Sequence, residues 1–231
     1  MILYLHGFRS SPRSIKAQQL EQRLEQRGLA ATWCCPQLPV SPLEASRVIA
    51  DIAADRATGN DAQPLAIIGS SLGGYYATWI AERVDCRVVL LNPAVHPDRD
   101  LAHHLGTQRI YHSDETVQIK AEYLDELRAL RVRAITHPAR YLLVAATGDE
   151  VLDWREMVAR YPEARRLIIE GSDHGLSDFA TIIDDVIDFA IDDAKGVTSH
   201  TMNDISKNIS NDISNDGAND RPPGVATTSR E

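Results

Sequence analysis

Cysteine is scarce in this sequence, and the few cysteines present cannot form a disulfide framework. Three occur among 231 residues, and two of these are adjacent, at Cys34 and Cys35. No Cys-x-x-Cys pair is present, which removes the common zinc and thiol-redox motifs. We therefore expect the chain to work in a reducing compartment.

Basic residues are also in the minority, with 24 Lys and Arg against 33 Asp and Glu and a net charge of −9. Nucleic acids and anionic membranes both favour clustered Lys and Arg, so this balance argues against either as a partner. No segment approaches the roughly 20 apolar residues that cross a bilayer. Residues 1–5 open the sequence without the basic and apolar regions of a signal peptide. The expected location is the cytoplasm.

Motifs for nucleotides and metals are missing as well. Residues 69–74 are rich in glycine, but no Gly-Lys-Ser/Thr follows them, and the chain has no dinucleotide fingerprint. His103, His104 and His112 lie close together in sequence. They lack the i, i+4 histidine pair with a carboxylate that a zinc helix would show. The sequence implies no cofactor and no metal.

The most informative motif that is present is Gly-x-Ser-x-Gly at residues 69–73. It follows a β-branched apolar run and precedes a segment of helical character, which is the context of a nucleophile elbow with Ser71 as the exposed hydroxyl. Glycine is needed at 69 and 73 because side chains there would collide with backbone in so tight a turn. Ser71 would then lie at the positive end of a helix, where unpaired N–H groups favour developing negative charge.

Short apolar runs alternate with helical segments along most of the chain. Continuous apolar runs are typical of strands buried on both faces of a parallel sheet. Strands are predicted at residues 2–5, 31–35, 65–68, 87–91, 141–146 and 167–169. Helices are predicted at residues 14–27, 43–57, 74–84, 154–160 and 178–192. This order predicts an α/β fold with about six parallel strands and helices on both faces.

Two stretches depart from that alternation. Residues 95–137 contain two predicted helices, at 98–105 and 115–130, and we interpret them as a small helical cap insertion. From residue 195 onward Asn, Asp, Ser and Gly dominate, a composition that cannot bury enough apolar surface to offset its ordering entropy. We predict one α/β domain at 1–194 and a disordered tail at 195–231. A short docking helix with Ile205, Ile209 and Ile213 on one face is the alternative for the tail.

Reactive groups in such folds gather at the carboxyl ends of the strands. Ser71, Asp149 and His174 each follow a predicted strand. A serine hydroxyl needs an imidazole to take its proton, and the imidazole needs a carboxylate to fix its tautomer. The chain order serine, aspartate, histidine is that of α/β-hydrolases and differs from the two common protease orders. The N–H groups of Phe8 and Leu72 fit the two positions of an oxyanion hole.

Each assignment has an alternative. Ser71 could be an ordinary turn serine, and Asp153 or Asp173 could be the acid in place of Asp149. His174 competes with the other seven of the eight histidines. Structural or solvated roles are expected for these: His6 before the oxyanion turn, His96, His103, His104, His112 and His137 in or beside the cap, and His200 in the tail.

Five separated motifs together resemble the YqiA/YcfP-type family of small bacterial esterases, over roughly residues 1–192. The motifs lie at residues 4–17, 69–75, 91–95, 147–153 and 171–174, among them Tyr-Leu-His-Gly-Phe, Gly-Ser-Ser-Leu-Gly-Gly-Tyr and Gly-Ser-Asp-His. That family has a compact α/β-hydrolase fold lacking the first two strands of larger members, and a first strand at residue 2 fits this. The resemblance implies esterase or thioesterase activity with Ser71, Asp149 and His174 as the triad.

The expected protein is a serine hydrolase that cleaves carboxylic esters or thioesters of short to medium acyl chain through an acyl-enzyme, with acyl-CoA among the candidate substrates. A hydrolase-fold binding protein without turnover is the alternative from another class. A carbon–carbon hydrolase or perhydrolase using the same triad is the third possibility. Acyl length stays open, because it depends on how residues 95–137 fold over the crevice.

Overall fold

The computed structural model describes residues 1–58, 64–111 and 114–192. The predicted tail at 195–231 lies outside the described residues, as do His112 and His200. The described residues therefore include nearly all of the predicted α/β domain and most of the stretch at 95–137.

The strands in chain order are β1 (Ile2–Leu5), β2 (Trp33–Cys34), β3 (Ala66–Ser70), β4 (Arg87–Leu91), β5 (Gly106–Arg109), β6 (Thr116–Ile119), β7 (Tyr141–Ala146) and β8 (Arg165–Ile169). Six of them form one sheet in the order β2-β1-β3-β4-β7-β8, and every neighbouring pair in it is parallel. β5 and β6 form a separate antiparallel hairpin. The predicted six-stranded parallel sheet is confirmed.

The helices are α1 (Ile15–Gln26), α2 (Pro42–Thr58), α3 (Leu72–Ala81), α4 (Pro97–Leu101), α5 (Glu122–Ala129), α6 (Trp154–Arg160) and α7 (Ile183–Ile191). They lie on both faces of the sheet. Within the described ranges, no helix combines the length and the apolar composition needed to cross a bilayer.

Two apolar clusters hold the layers together, one on each face of the sheet. Ile67 packs in the cluster that includes α2, α3, α5 and α6, whereas the next residue, Ile68, packs in the cluster that includes α1 and α7. Side chains alternate in this way because successive residues of a strand point to opposite faces. Both faces are covered, which explains why these strands are continuously apolar in sequence.

The register of the sheet brings the carboxyl ends of the central strands to one edge. Leu5 of β1 pairs with Gly69 of β3, and Ser70 of β3 pairs with Leu91 of β4. The residues that follow these strands therefore meet in space, although they are far apart in sequence.

Several predicted boundaries are wrong at the periphery. The strand expected at 31–35 begins with a 3₁₀ turn, Ala30–Thr32, and pairs with β1 over two residues only. The last helix, expected from 178, is preceded by a 3₁₀ turn at Phe179–Thr181 and begins at Ile183. At both places the sequence pattern predicted the correct type of element and the wrong first residue, as is common at the ends of helices and strands.

The helix expected at 115–130 is wrong over its first half. Residues 116–119 form β6, and α5 begins only at 122. Thr116, Val117 and Ile119 are β-branched, a property that favours a paired strand. Their partner, β5, begins at Gly106, directly after the stretch expected as a helix over 98–105. Within that stretch α4 ends at Leu101, and a 3₁₀ turn at Ala102–His104 and Leu105 in extended backbone follow it.

Candidate active site

Ser71 lies between the end of β3 and the first residue of α3 in a strained backbone conformation. Its φ is 54° and its ψ is −120°, a region that L-residues rarely adopt. Hydrogen bonds on both sides hold it there. The Ser71 N–H donates to the carbonyl of Leu91 at 3.0 Å, and the Ser71 carbonyl accepts the N–H groups of Gly74 at 2.9 Å and Ala94 at 3.0 Å.

The two flanking glycines are required by close backbone approach. A Cβ on Gly69 would lie 2.4 Å from the carbonyl oxygen of Gly73, and one on Gly73 would lie 2.0 Å from the carbonyl oxygen of Leu5. Real Cβ atoms do not approach backbone so closely. The expectation that side chains at 69 and 73 would collide with neighbouring backbone agrees with this geometry.

The side chains of Ser71, His174 and Asp149 form one hydrogen-bonded chain. His174 Nε2 lies 3.2 Å from Ser71 Oγ, and His174 Nδ1 lies 2.8 Å from Asp149 Oδ2. The Asp149 side chain is fully buried, and its other oxygen accepts the N–H groups of Val151 at 2.9 Å and Leu152 at 2.8 Å. A carboxylate at Nδ1 favours the tautomer with its proton on that nitrogen, which leaves Nε2 free to accept the serine proton.

The two alternative acids have other partners. Asp153 caps α6 by accepting the N–H of Arg155 at 2.9 Å. Asp173 accepts the N–H of Ser177 at 2.9 Å. Of the three candidate aspartates, Asp149 is the one whose carboxylate bonds to the imidazole of His174.

Asn92 is a residue of the site to which the sequence assigned no role. It follows β4, is 1% exposed and has a positive φ of 43°. Its Nδ2 donates to the carbonyls of Asp173 at 3.1 Å and His174 at 3.2 Å, while its Oδ1 accepts the N–H of Ala146 at 2.8 Å. Asn92 thus ties the histidine loop to the ends of β4 and β7. Its position at a strand end was the signal that could have identified it.

Two further contacts fix the loop that carries the imidazole. The His174 N–H donates to the carboxylate of Glu150 at 3.0 Å. The ammonium of Lys16 donates to the carbonyl of Gly175 at 2.6 Å. Burial lowers the pKa of Lys16, and the charges of nearby Asp173 and Asp149 oppose that shift. The histidine loop is therefore held by side chains from α1, from the turn after β4 and from the turn after β7.

The two predicted oxyanion donors flank Ser71. Leu72 is the first residue of α3, so its N–H has no acceptor within the helix. Across the described ranges, the Phe8 N–H also lacks a hydrogen-bond partner. Gly7 packs directly on the nucleophile, because a Cβ at Gly7 would lie 3.1 Å from the Cβ of Ser71. Leu72 thus follows Ser71 directly, Phe8 follows a residue that contacts Ser71, and neither N–H has an acceptor among the described residues.

The hairpin β5–β6 binds the loop that contains Phe8. The carbonyl of Arg9 accepts the N–H of Tyr111 at 3.0 Å, and the Arg9 guanidinium donates to Gln108 Oε1 at 3.0 Å and to the Tyr111 hydroxyl at 2.6 Å. The Phe8 ring lies 5.6 Å from the ring of His104. The stretch expected as a cap thus contacts the oxyanion turn directly.

His6 has the structural environment expected of it. It is 4% exposed, its Nε2 accepts the N–H of Leu38 at 3.0 Å, and its Nδ1 lies 3.0 Å from the carbonyl of Gly7. Burial lowers the pKa of His6, which favours the neutral ring. Among the described residues, no group of three or more His, Cys, Asp or Glu side chains could hold a metal ion.

The chain is similar in sequence to known proteins. The model of an uncharacterised protein family, UPF0227, matches residues 1–191. A UPF0227 protein of Vibrio parahaemolyticus is 28% identical over 158 residues, which cover 66% of this chain and 78% of that protein.

Solved structures of low sequence identity share the fold. Est1E from Butyrivibrio proteoclasticus has a TM-score of 0.61 at 13% identity, over 92% of this chain and 88% of that one. The esterase domain of a Rhodothermus marinus protein has a TM-score of 0.56 at 20% identity, over 80% and 83%. Mouse α/β hydrolase domain-containing protein 10 has a TM-score of 0.54 at 17% identity, over 81% and 89%. The fold is that of the α/β-hydrolases.

Proposed function

The chain belongs to the UPF0227 family, as its resemblance to YqiA/YcfP-type proteins predicts, and we propose that it is a serine hydrolase that cleaves carboxylic esters or thioesters through an acyl-enzyme. Ser71 is the nucleophile, His174 the general base and acid, and Asp149 the residue that orients the imidazole. The N–H groups of Phe8 and Leu72 bind the oxyanion.

The observation that carries this proposal is the hydrogen-bonded chain from Ser71 through His174 to Asp149, with 3.2 Å and 2.8 Å between heavy atoms. Ser71 and His174 are 103 positions apart in sequence, and Asp149 and His174 are 25 positions apart. The nucleophile of the proposal also lies in a strained backbone conformation, a feature that clusters at functional sites.

Each step of the reaction has a group in place. His174 Nε2 takes the Ser71 hydroxyl proton as the oxygen attacks the substrate carbonyl. The carbonyl oxygen becomes negative and accepts the N–H groups of Phe8 and Leu72; one such donor is worth about 3 to 4 kcal/mol of transition-state stabilisation. The imidazolium returns its proton to the leaving alcohol or thiol, and water then releases the acid from Ser71 by the same route.

Four partly buried apolar residues adjoin the backbone groups of the proposed site, where an acyl chain would lie. Phe8, Leu72, Val95 and Leu152 are all partly buried. Phe8 and Leu72 carry the proposed oxyanion donors. Val95 follows Ala94, whose N–H donates to the Ser71 carbonyl, and the N–H of Leu152 donates to Asp149. The structural neighbour from Rhodothermus marinus is described as an esterase domain, which is consistent with the proposal.

The test compares Ser71→Ala with Ser70→Ala. A panel of p-nitrophenyl esters and acyl-CoAs of graded chain length should be hydrolysed by the wild type and by Ser70→Ala, and not by Ser71→Ala. A fluorophosphonate probe should label the wild type and the Ser70→Ala variant, with the adduct on the peptide that contains Ser71.

Retention of most activity by Ser71→Ala would contradict the assignment. A wild type that is folded but takes no label and turns over no ester would instead favour the binding protein without turnover. The ratio of acyl-CoA to p-nitrophenyl ester hydrolysis then decides between thioester and ester preference.

A further inference from the structure

A cavity lies beside the candidate active site, on the flank of α3. Its volume is about 80 Å³, several times the roughly 10–15 Å³ that one water molecule needs. Neither Ser71 nor His174 lines it. Ala94 does, and its N–H donates to the Ser71 carbonyl. The lining residues are Tyr75, Thr78, Ala94, Val95, His96, Arg131, Val132, Arg133, Arg160 and Tyr161.

The lining contains three arginines and no acidic residue, in a chain whose net charge is −9. Arg131 and Arg133 are exposed and follow α5, whereas Arg160 is partly buried at the end of α6. Among the ion pairs of the described residues, none involves Arg131, Arg133 or Arg160. The three guanidinium groups therefore have no carboxylate within ion-pairing distance in that part of the chain.

Two carboxylates near residues of the lining are already bound by other arginines. Burial raises the pKa of Tyr75, and the charge of nearby Asp98 raises it further. A carboxylate oxygen of Asp98 lies 3.1 Å from Nε of Arg128. Glu156 binds Arg99 through two hydrogen bonds of 2.8 Å each. Neither carboxylate is free to pair with the arginines of the cavity.

Arg160 also fixes the geometry of the cavity. Its two terminal nitrogens donate to the carbonyls of Arg133 at 3.2 Å and Val132 at 2.5 Å. A guanidinium has five N–H groups, so three remain for a ligand. The hydroxyls of the lining have partners: Tyr75 donates to a carbonyl at 2.7 Å, and Thr78 and Tyr161 lie 2.8 Å apart. The side-chain donors of the lining that have no partner within the described residues are therefore those of its arginines and of His96.

We propose that this cavity binds a phosphoryl group through Arg131, Arg133 and Arg160. The planar fork of a guanidinium matches the oxygens of a phosphoryl group, and several arginines together suit its double negative charge. The cavity opens to solvent at Arg131 and Arg133, so the group can belong to inorganic phosphate or to a phosphomonoester that extends outside. Binding here needs no turnover and is separate from the proposed esterase chemistry.

Calorimetric titration of the full chain at low, constant ionic strength tests the proposal. One arm uses inorganic phosphate, a second uses phenyl phosphate, and chloride is the control anion. The Ser71→Ala variant should bind both phosphates as the wild type does. Tighter binding of inorganic phosphate identifies the free ion as the preferred form, and tighter binding of phenyl phosphate identifies a phosphomonoester.

The double variant Arg131→Gln/Arg133→Gln should bind phosphate at least about tenfold more weakly, since each charged hydrogen bond typically contributes one to two factors of ten. Arg155→Gln is the matched control. Arg155 is on α6 as Arg160 is, its side chain is 72% exposed, and it does not line the cavity. It should change binding by less than about twofold.

Absence of phosphate binding in the wild type, or an equal loss in Arg155→Gln and the double variant, would overturn the proposal. The single variant Arg133→Gln guards against loss of the fold in the double variant. Its side chain is exposed, so unfolding curves should match those of the wild type while phosphate binding weakens.

Discussion

Replacing Asn92 by alanine should destabilise the protein strongly, although Asn92 lies outside the helices and strands. The substitution leaves the buried N–H of Ala146 without its 2.8 Å acceptor and removes the donor to the carbonyls of Asp173 and His174. An unsatisfied buried donor costs about 1–3 kcal/mol, and the two weakened carbonyls add about 1 kcal/mol. Alanine at a φ of 43° costs about 1 kcal/mol more.

The expected loss is therefore about 3–5 kcal/mol, a large part of the roughly 5–15 kcal/mol that stabilises a typical domain. It corresponds to a fall in melting temperature of about 6–20 °C for a chain of this size. Urea unfolding followed by circular dichroism measures the free energy. Ester hydrolysis should also fall, because the imidazole of His174 is carried by the loop that Asn92 holds.

Two control variants separate the contributions. Asn92→Gly accepts the positive φ without strain and should be less destabilised than Asn92→Ala. Asn92→Asp keeps the volume and the acceptor for Ala146, but at neutral pH it places a carboxylate oxygen against two carbonyls. If Asn92→Ala lost less than about 1 kcal/mol, or Asn92→Asp were as stable as the wild type at pH 7, the account of Asn92 given above would be refuted.

Two further predictions concern single side chains. Asp149→Asn should lower kcat for p-nitrophenyl butyrate by about 10³–10⁴ with little change in KM, because an amide no longer enforces the tautomer of His174 that accepts the serine proton; a loss below tenfold would argue against Asp149 as the orienting residue. For His6, burial makes the folded-state pKa lower than the unfolded value of about 6.5, so the unfolded state binds more protons below that pH. The contribution of His6 to the free energy of unfolding should be complete above about pH 6.5 and fall as the pH drops. His6→Gln can still accept the Leu38 N–H. Its free energy of unfolding, measured in urea, should fall less steeply between about pH 7 and 5 than that of the wild type.

The central sheet could be predicted from the sequence because its strands are buried on both faces. β4 and β7 have the bounds expected from their apolar runs, 87–91 and 141–146. The hairpin at 106–119 could not be predicted in the same way. The residues of β5 alternate between half-buried and exposed, and the hairpin is joined to the loop after β1 by a contact distant in sequence, the hydrogen bond from Tyr111 to Arg9. Local patterns carry no information about such a pairing.

The same distinction applies to the site. Ser71, Asp149 and His174 could be chosen as candidates from the sequence, because a serine nucleophile requires these residue types and the predicted fold places them after strands. The structure joins the three side chains by hydrogen bonds. Asn92 carries no reactive group and works through backbone atoms more than fifty positions away. The arginines of the cavity on the flank of α3 were not identified either, because Arg160 meets Arg131 and Arg133 only after α6 packs beside the segment that follows α5.

The conformation of Ser71 shows how the fold supports a strained nucleophile. A backbone in this region costs about 1–3 kcal/mol and persists only where the surroundings determine it. Here the N–H and the carbonyl of Ser71 are both bonded, to Leu91 on one side and to Gly74 and Ala94 on the other, and none of these bonds involves its side chain. Removal of the hydroxyl in Ser71→Ala therefore leaves the elbow intact. The variant should lose its proposed chemistry while it keeps its stability, so that loss of hydrolysis by a fully folded Ser71→Ala protein reports on the hydroxyl alone.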